Sequence, residues 1–541
     1  MRLLKRIEFL AAGVCVVLLS APAARGNVGL TVVTDRGSVQ GTFSSDGQVR
    51  AFLGIPYAAA PVGPLRWKPP QPAPAWSGVR SATRFGPRCM QTQLFPDMVF
   101  RDPGPSEDCL TLNVWAPAGK NSAPLPVMVW IYGGGFVTGG SSEPRQDGEH
   151  LAHKGVIVVS MNYRLGIFGF FALPSLAAES PKHAAGNYGL MDQAAALDWV
   201  RRNIAAFGGD PAKVTIFGES AGSISVSAQM ASPVSQGLFV RAIGESGGAL
   251  TGPGLTFQPL PVSEQRGQRF AQSAFKNSSL AFLRSVGAGQ LLKAASTAPH
   301  GHGIFWPNVD GDFLPESVPA IYAKGNQARV PLLAGWNQDE GSGEVLGQPQ
   351  KPTPQAMRAL ATKRFGPRAE DFLRVYAAAD NTEALRAAED FSGDAFIAYS
   401  TWEWLEAQVK TGNAPVYRYR FDLGSPGDPF HPPAIGAFHS DDIEYVFGTL
   451  DSRRGAKWRP EDYKLSDLMQ AYWTNFAKTG DPNSAGLPRW PAYNEAGKWQ
   501  VMHLSPDSEA RSDRHRDRYL FLQQVWGPDA PPGPPPVGPG K

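Results

Sequence analysis

The sequence lacks the patterns that indicate metal, phosphate or nucleic-acid binding. No cluster of histidine, cysteine and carboxylate residues has the spacing of metal ligands, and no phosphate-binding lysine motif follows a glycine-rich stretch. The formal net charge is only +3, and the basic segment 511–518 is interrupted by Asp513 and Asp517, a pattern typical of a solvated face. We therefore expect no metal, no cofactor and no nucleic-acid partner.

Long hydrophobic runs are absent except near the N-terminus. Arg2, Lys5 and Arg6 form a basic region, residues 9–19 are apolar or small, and residues 21–23 read Ala-Pro-Ala. The apolar run is too short to span a bilayer, and the layout is that of a cleavable signal peptide over residues 1–23. We expect a secreted or periplasmic protein with no integral membrane segment after cleavage. The oligomeric state is left open.

Cysteine is scarce, with three in 541 residues. Because Cys15 falls in the leader, the mature chain would keep Cys89 and Cys109. In an oxidising compartment an even pair favours one disulfide that closes a short loop, and two free thiols are the alternative.

No internal repeat is visible, and the remaining pattern alternates strands with helices. Hydrophobic residues make up 42% and charged residues 18% of the chain, as in a globular protein with a large core. Apolar runs predict buried parallel strands at 127–132, 156–160, 214–217 and 330–334, and helical patterns cover 191–207 and 465–478. This alternation predicts an α/β fold with a mostly parallel central sheet covered by helices on both faces. We expect one catalytic domain over 27–525 and a proline-rich disordered tail over 526–541.

A Gly-x-Ser-x-Gly frame occurs twice, around Ser220 and around Ser246. Ser220 follows a β-branched run at 213–217 and precedes a helix-compatible run at 221–230, which is the strand–turn–helix context of a nucleophile elbow. The segment after Ser246 is too rich in glycine and proline to begin a helix. The sequence therefore favours Ser220 as a nucleophile.

Three consecutive glycines, at 133–135, follow the apolar run that ends at Tyr132. Backbone N–H groups can converge there without side chains in the way, as acyl transfer requires for its developing oxyanion. A flexible turn is the alternative interpretation.

Ordered blocks along the whole chain resemble the type-B carboxylesterase family, which includes cholinesterases and some fungal lipases and has the α/β-hydrolase fold. The blocks are AFLGIPYAAAPVGPLRWKPP (51–70), SEDCLTLNVWAP (106–117), WIYGGGF (130–136), NYRLGIFGF (162–170), GNYGLMDQAAALDWVRRNIAAFGGDP (186–211), FGESAGS (217–223), GWNQDEG (335–341) and GAFHSDDIEYVFG (436–448).

The resemblance implies a role for each matching position. Ser220 would be the nucleophile, Glu340 the acid and His439 the general base of a catalytic triad. The oxyanion-hole N–H groups would come from Gly134, Gly135 and Ala221.

Around this set, the resemblance implies that Glu219 is buried beside the nucleophile and that Ser246 supports Glu340 through a hydrogen bond. Asp442 stands where relatives often carry glutamate, so the resemblance does not determine the polarity of the pocket near Glu219. The pair Cys89–Cys109 matches the disulfide that closes the lid loop in lipase relatives.

We expect a secreted serine esterase that cleaves small-molecule carboxylic esters through an acyl-enzyme. A non-catalytic binding or adhesion protein on the same fold, and an amidase or other acyl transferase, are the alternatives. Only 19 residues, broken by Pro96, Pro103 and Pro105, separate the two cysteines. The loop is too short for a large membrane-facing lid, which favours dissolved esters.

Three aromatic residues have two possible locations. Phe136, Phe305 and Trp306 fit either the wall of a gorge or the core.

Overall fold

The computed structural model describes residues 29–119, 121–253, 255–299 and 304–527. The expected leader (1–23) and the part of the expected tail beyond residue 527 lie outside these ranges. Within them, no helix is long and apolar enough to cross a membrane.

Eleven strands form the central sheet. In chain order they are β1 (Thr42–Phe43), β2 (Val49–Pro56), β3 (Thr111–Pro117), β4 (Leu125–Ile131), β5 (Ile157–Met161), β6 (Gly209–Glu219), β7 (Arg241–Glu245), β8 (Leu332–Asn337), β9 (Val416–Phe421), β10 (Gln500–Leu504) and β11 (Glu509–Ser512). Their spatial order is β1-β2-β3-β5-β4-β6-β7-β8-β9-β10-β11. In this spatial order, neighbouring strands in the run β5-β4-β6-β7-β8-β9-β10 are parallel. The remaining pairs, at both ends of the sheet, are antiparallel.

Smaller sheets lie outside this layer. One has three strands, Thr31–Thr34, Gly37–Gln40 and Val79–Ser81, and two are pairs, Arg88–Cys89 with Pro105–Ser106 and Gln258–Pro259 with Asn308–Val309.

Helices fill the connections between strands. They are α1 (Glu149–His153), α2 (Gly166–Phe170), α3 (Pro174–Glu179), α4 (Tyr188–Asn203), α5 (Ala221–Ala231), α6 (Leu260–Phe275), α7 (Leu280–Ser285), α8 (Ala288–Thr297), α9 (Val318–Ala323), α10 (Ser342–Leu346), α11 (Pro354–Phe365), α12 (Ala369–Val375), α13 (Asn381–Gly393), α14 (Tyr399–Thr411), α15 (Ile443–Phe447), α16 (Pro460–Thr479) and α17 (Arg516–Trp526). A π-helical turn, Asp394–Ala398, joins α13 to α14.

The predicted fold class is confirmed, because every residue of β6 from Val214 to Glu219 is buried. A strand buried at successive positions has both faces covered. The predicted strands at 127–132, 156–160, 214–217 and 330–334 correspond to β4, β5, β6 and β8, with ends displaced by a few residues. The predicted helix at 191–207 is α4 followed by a 3₁₀ turn at Ile204–Phe207.

Adjacent parallel strands bring the candidate residues to one edge of the sheet. Glu219 at the end of β6 pairs with Glu245 at the end of β7, and Glu245 pairs with Gly335 near the end of β8. The carboxyl ends of parallel strands open on the same side, where ligands bind in open α/β sheets. The loops after these strands carry Ser220, Ser246 and Glu340.

Candidate active site

Ser220 occupies a strained turn between β6 and α5, with φ 56° and ψ −124°. Its backbone N–H donates to the carbonyl oxygen of Glu245 at 2.8 Å, which fixes the turn against β7. A Cβ on Gly218 would lie 2.5 Å from the carbonyl oxygen of Ile131, and a Cβ on Gly222 would lie closer still. The tight approach therefore requires glycine on both sides of the serine.

Three side chains from separate elements form a continuous hydrogen-bonded chain. Ser220 Oγ lies 2.9 Å from His439 Nε2, and His439 Nδ1 lies 2.6 Å from Glu340 Oε2. His439 comes from the loop before α15 and Glu340 from the loop after β8. The imidazole side chain is 23% exposed, so it faces a space that solvent can enter.

The Glu340 carboxylate is buried, and its other oxygen, Oε1, accepts two hydrogen bonds. Ser246 Oγ donates to Oε1 at 2.5 Å, and the backbone N–H of Asn337 donates to the same atom at 2.9 Å. The neighbouring Asp339 turns elsewhere: it accepts from Arg386 Nη1 at 2.7 Å and from the backbone N–H of Ala437 at 3.0 Å.

Glu219 lies on the other side of the imidazole, with Oε1 3.3 Å from His439 Nε2. This oxygen is buried and has no hydrogen-bond partner among the described residues. Burial raises the pKa of Glu219 to about 8. For His439, burial opposes the charged imidazolium, but the Glu219 and Glu340 carboxylates outweigh it and raise the pKa to about 9.

Asp442, which stands where relatives often carry glutamate, is fully buried near Glu340. Its carboxylate accepts from Tyr419 OH at 2.9 Å and from Asn337 Nδ2 at 3.2 Å. Burial, and then repulsion from Glu340, raise its pKa to about 6. Its hydrogen-bond partners are therefore Tyr419 and Asn337, and it makes no hydrogen bond to Glu219 among the described residues.

The glycine segment after β4 lies against Ser220. A Cβ on Gly133 would lie 2.9 Å from the Cβ of Ser220, and positive φ values of 104° at Gly134 and 61° at Gly135 turn the backbone there. Ala221 is the first residue of α5, where N–H groups have no helical acceptor. In the described part of the chain, no acceptor takes the N–H groups of Gly134, Gly135 or Ala221.

A sequence profile of the carboxylesterase family matches residues 29–521. The chain belongs to the carboxylesterase family. It is therefore a carboxylic-ester hydrolase.

Relatives and solved structures agree with this assignment. This carboxylesterase is 39% identical over 485 residues to a fumonisin B1 esterase of Sphingopyxis macrogoltabida, covering 86% of this chain and 85% of the relative. It is 39% identical over 477 residues to a para-nitrobenzyl esterase of Bacillus subtilis (strain 168), covering 86% and 92%. A solved PNB esterase structure superimposes with a TM-score of 0.78 at 37% identity, over 91% of this chain and 99% of that one.

The disulfide of this carboxylesterase closes the loop of residues 90–108, called the disulfide loop below. Cys89 and Cys109 are bonded, with their Cα atoms 5.0 Å apart, so the expected pairing is confirmed. No residue of the loop is helical.

The sequence did not decide whether three aromatic residues lie in a gorge wall or in the core. Two of them, Phe136 and Phe305, are buried in the core. The ring of Phe136 packs edge-on against Trp306, with centroids 5.0 Å apart. A residue that the sequence did not indicate, Phe396, lies instead at the site: its ring is 4.9 Å from that of His439, and it is 44% exposed. Phe396 belongs to the π-helical turn, which has no signature in the sequence.

Within the described residues, one group of side chains has the geometry of a possible metal site. Asp46, Glu149 and His153 present ligand atoms within 4.8 Å of one another, and Asp46 and His153 are exposed. Residues 149 and 153 share one face of α1, while Asp46 comes from the turn between β1 and β2. The spacing did not indicate this group, because contact between distant segments is not visible in the sequence pattern.

Proposed function

We propose that this carboxylesterase is a serine esterase in which Ser220 attacks the ester, His439 moves the proton and Glu340 orients the imidazole. The observation that carries the proposal is the unbroken chain from Ser220 Oγ through His439 to Glu340, with contacts of 2.9 and 2.6 Å. These distances are within the reach that a nucleophile, a base and an orienting acid need.

The reaction begins when His439 Nε2 accepts the proton of Ser220 Oγ as that oxygen bonds to the ester carbonyl carbon. The carbonyl oxygen becomes an anion, which the N–H groups of Gly134, Gly135 and Ala221 bind. The ester C–O bond then breaks, and His439 gives its proton to the leaving alcohol. Water then bonds to the acyl carbon while His439 takes one of its protons. The bond from that carbon to Ser220 Oγ breaks, His439 returns the proton to Oγ, and the carboxylic acid leaves.

The proposed roles of Ser246 and Glu340 follow from their contact. Ser246 donates to one carboxylate oxygen at 2.5 Å, which leaves the other for His439. A hydrogen-bonded and buried carboxylate cannot turn away from the imidazole, so the imidazolium formed during attack keeps its counter-charge.

The test compares two serines in the same sequence frame. Ser220→Ala should abolish ester hydrolysis, and Ser246→Ala should keep measurable turnover because it removes only a supporting hydrogen bond. Circular dichroism would verify that both variants fold. A serine-directed organophosphonate should label Ser220, and a label mapped to Ser246 would refute the assignment.

The retained Ser220, His439 and Glu340 argue against a non-catalytic binding protein. The amidase alternative is addressed by matched esters and anilides with the same acyl group. Hydrolysis of the anilides at rates equal to those of the esters would favour that alternative.

We also propose that the enzyme is exported and acts on dissolved esters. The basic, apolar and small-residue order of residues 1–23 supports export, as does the disulfide, since such bonds persist in oxidising compartments. The mass of the mature protein should correspond to a chain that lacks those residues; a retained leader would contradict this.

A further inference from the structure

Two short segments bring the base and the acid together: the histidine segment, residues 436–439, and the acid segment, residues 337–340. The backbone N–H of Asp339 donates to the carbonyl oxygen of Ala437 at 2.9 Å, and the backbone N–H of Ala437 donates to Asp339 Oδ2 at 3.0 Å. These two hydrogen bonds close a ring one residue before the acid and two residues before the histidine. The segments are therefore attached to each other next to the catalytic pair.

The histidine segment is shaped to accept this contact. Gly436 has a φ of 75°, and a Cβ on it would clash with Asp339 Oδ2. Only a residue without a Cβ lets the chain pass so close to the carboxylate. A further hydrogen bond ties the same segment to the end of β8, because Asn337 Nδ2 donates to the carbonyl oxygen of Phe438 at 2.7 Å. Both residues that precede the histidine are thus held by the acid segment.

Arg386 fixes the Asp339 carboxylate through its other oxygen. Arg386 Nη1 donates to Asp339 Oδ1 at 2.7 Å, which leaves Oδ2 for Ala437. Arg386 belongs to α13 and also pairs with Asp390, while Asp339 is buried. Because charge-assisted hydrogen bonds are shorter and stronger than neutral ones, this pair restricts rotation of the carboxylate.

We propose that Asp339 is a positioning residue for the catalytic pair. Oriented by Arg386, it clamps the histidine segment to the acid segment and so sets the 2.6 Å contact between the His439 imidazole and the Glu340 carboxylate. Within the described residues, Asp339 makes no hydrogen bond to His439, so it acts through the backbone of the two segments. The inference rests on the proposed roles of His439 and Glu340.

The clamp should affect the rate of the chemical steps and not the binding of the ester. A misplacement of a reacting group by about 1 Å can cost about 100-fold in rate. Asp339→Ala removes the acceptor for the N–H of Ala437 and the partner of Arg386. We therefore expect kcat to fall about 10- to 100-fold with KM little changed, a smaller loss than that of Glu340→Gln.

Two further variants and a matched control separate the clamp from a general loss of stability. Asp339→Asn retains an acceptor oxygen for the N–H of Ala437, so it should restore most of the activity lost in Asp339→Ala. Arg386→Gln leaves Asp339 in place but frees its carboxylate to rotate. Since the Arg386 side chain is 42% exposed, the fold should tolerate this change, and kcat should fall less than in Asp339→Ala. Glu389→Gln is the control, because Glu389 Oε2 lies 3.9 Å from Arg386 Nη1 but belongs to neither segment.

Proton NMR measures the clamp without reference to turnover. An ionised carboxylate can only accept, so His439 Nδ1 carries the proton in its contact with Glu340. This proton should give a low-field signal in the wild type, which His439→Ala identifies by its loss. In Asp339→Ala, a looser contact should move the signal upfield or broaden it through faster exchange with water. Glu389→Gln should leave the signal unchanged, and circular dichroism would verify that each variant folds.

Several results would overturn the clamp. They are an unchanged kcat in folded Asp339→Ala, a fall in kcat without a change of the low-field signal, an equal loss in Glu389→Gln, and equal losses in Asp339→Ala and Asp339→Asn. Failure of the proposed function looks different, because Ser220→Ala or Glu340→Gln would then keep wild-type activity. If both of those variants lose activity while Asp339→Ala does not, the triad stands and only the clamp is wrong.

Discussion

At the scale of single residues, strained backbone gathers around Ser220. Phe136, Ser220, Ser246 and Ser440 all have positive φ, between 54° and 71°. Such a conformation costs roughly 1–3 kcal/mol for a residue with a side chain and persists only where the surroundings enforce it. Backbone hydrogen bonds of 2.8 Å from Ser220 to Glu245 and from Ser246 to Gly335 provide that enforcement. The reacting groups are thus positioned before a substrate arrives.

The first prediction separates two adjacent carboxylates. Glu340→Gln should lower kcat by up to about 10⁴, since the loss of a triad acid has an effect of that order. Asp339→Asn should cost far less, because Asp339 contacts Arg386 and the backbone of Ala437, not His439. Steady-state kinetics on both variants, with folding verified by circular dichroism, would check the difference. Equal losses would remove Glu340 from its proposed role.

The second prediction concerns Glu219 and the pH profile. The negative charge of Glu219 raises the pKa of His439, so Glu219→Gln should lower that pKa. The neutral imidazole, which is the base form, would then persist to lower pH. We expect the acidic limb of kcat/KM to move to lower pH, measured between about pH 6 and pH 11 so that the range extends above the His439 pKa of about 9. Glu316→Gln, on the surface beside Lys324, is the control, and an unmoved limb in Glu219→Gln would contradict the prediction.

At the scale of secondary-structure elements, α16 packs against the sheet through a buried carboxyl group. Glu245, the last residue of β7, is fully buried, and its Oε1 accepts from Trp473 Nε1 of α16 at 2.7 Å. Its Oε2 has no donor among the described residues. Burial, and then the charge of Asp442, hold the pKa of Glu245 well above its ordinary value. The group is therefore protonated in the folded enzyme over a range in which the unfolded chain has lost the proton.

The third prediction follows from this linkage. Because the folded state binds the proton more tightly, the contribution of Glu245 to stability is complete below the unfolded pKa, about 4.3, and declines as pH rises towards the folded pKa. Glu245→Gln keeps an acceptor for Trp473 and cannot ionise. Its Tm relative to wild type should therefore increase from about pH 5 to pH 8. An exposed glutamate, Glu495, changed to Gln provides the control, and a Tm difference that does not change with pH would exclude the linkage.

The sequence alone predicted the elements that hold the catalytic candidates, but not every contact between them. The β-branched run before Ser220 and the helical pattern after it indicated β6 and α5, because local periodicity carries that information. The short strand β9, with alternating tyrosine and arginine, was not predicted, since its polar residues are buried by partners distant in sequence. Phe396 was missed for the same reason, because its contact with His439 arises where distant segments meet in three dimensions.

At the scale of the whole molecule, the disulfide loop is tied to the body of the enzyme. Asp102 accepts from Arg88 and from Ser142, each at 2.6 Å, and Arg101 pairs with Asp147 at 2.7 Å. Near one cysteine, Gln91 donates to the carbonyl of Gly139 at 2.6 Å, beside the glycine segment. These contacts, together with the disulfide, oppose the large opening that a mobile lid requires.

The last prediction concerns the physical state of the substrate. Leu94, Phe95 and Val99 are the exposed apolar residues of the disulfide loop, while Met98 is buried. Three side chains on a tied loop give too little apolar surface to bind an oil droplet. The rate of tributyrin hydrolysis should therefore saturate smoothly across its solubility limit, as it should with a fully dissolved short-chain ester used for comparison. A sharp rise in rate once droplets form, absent with the dissolved ester, would instead identify an interface-activated lipase.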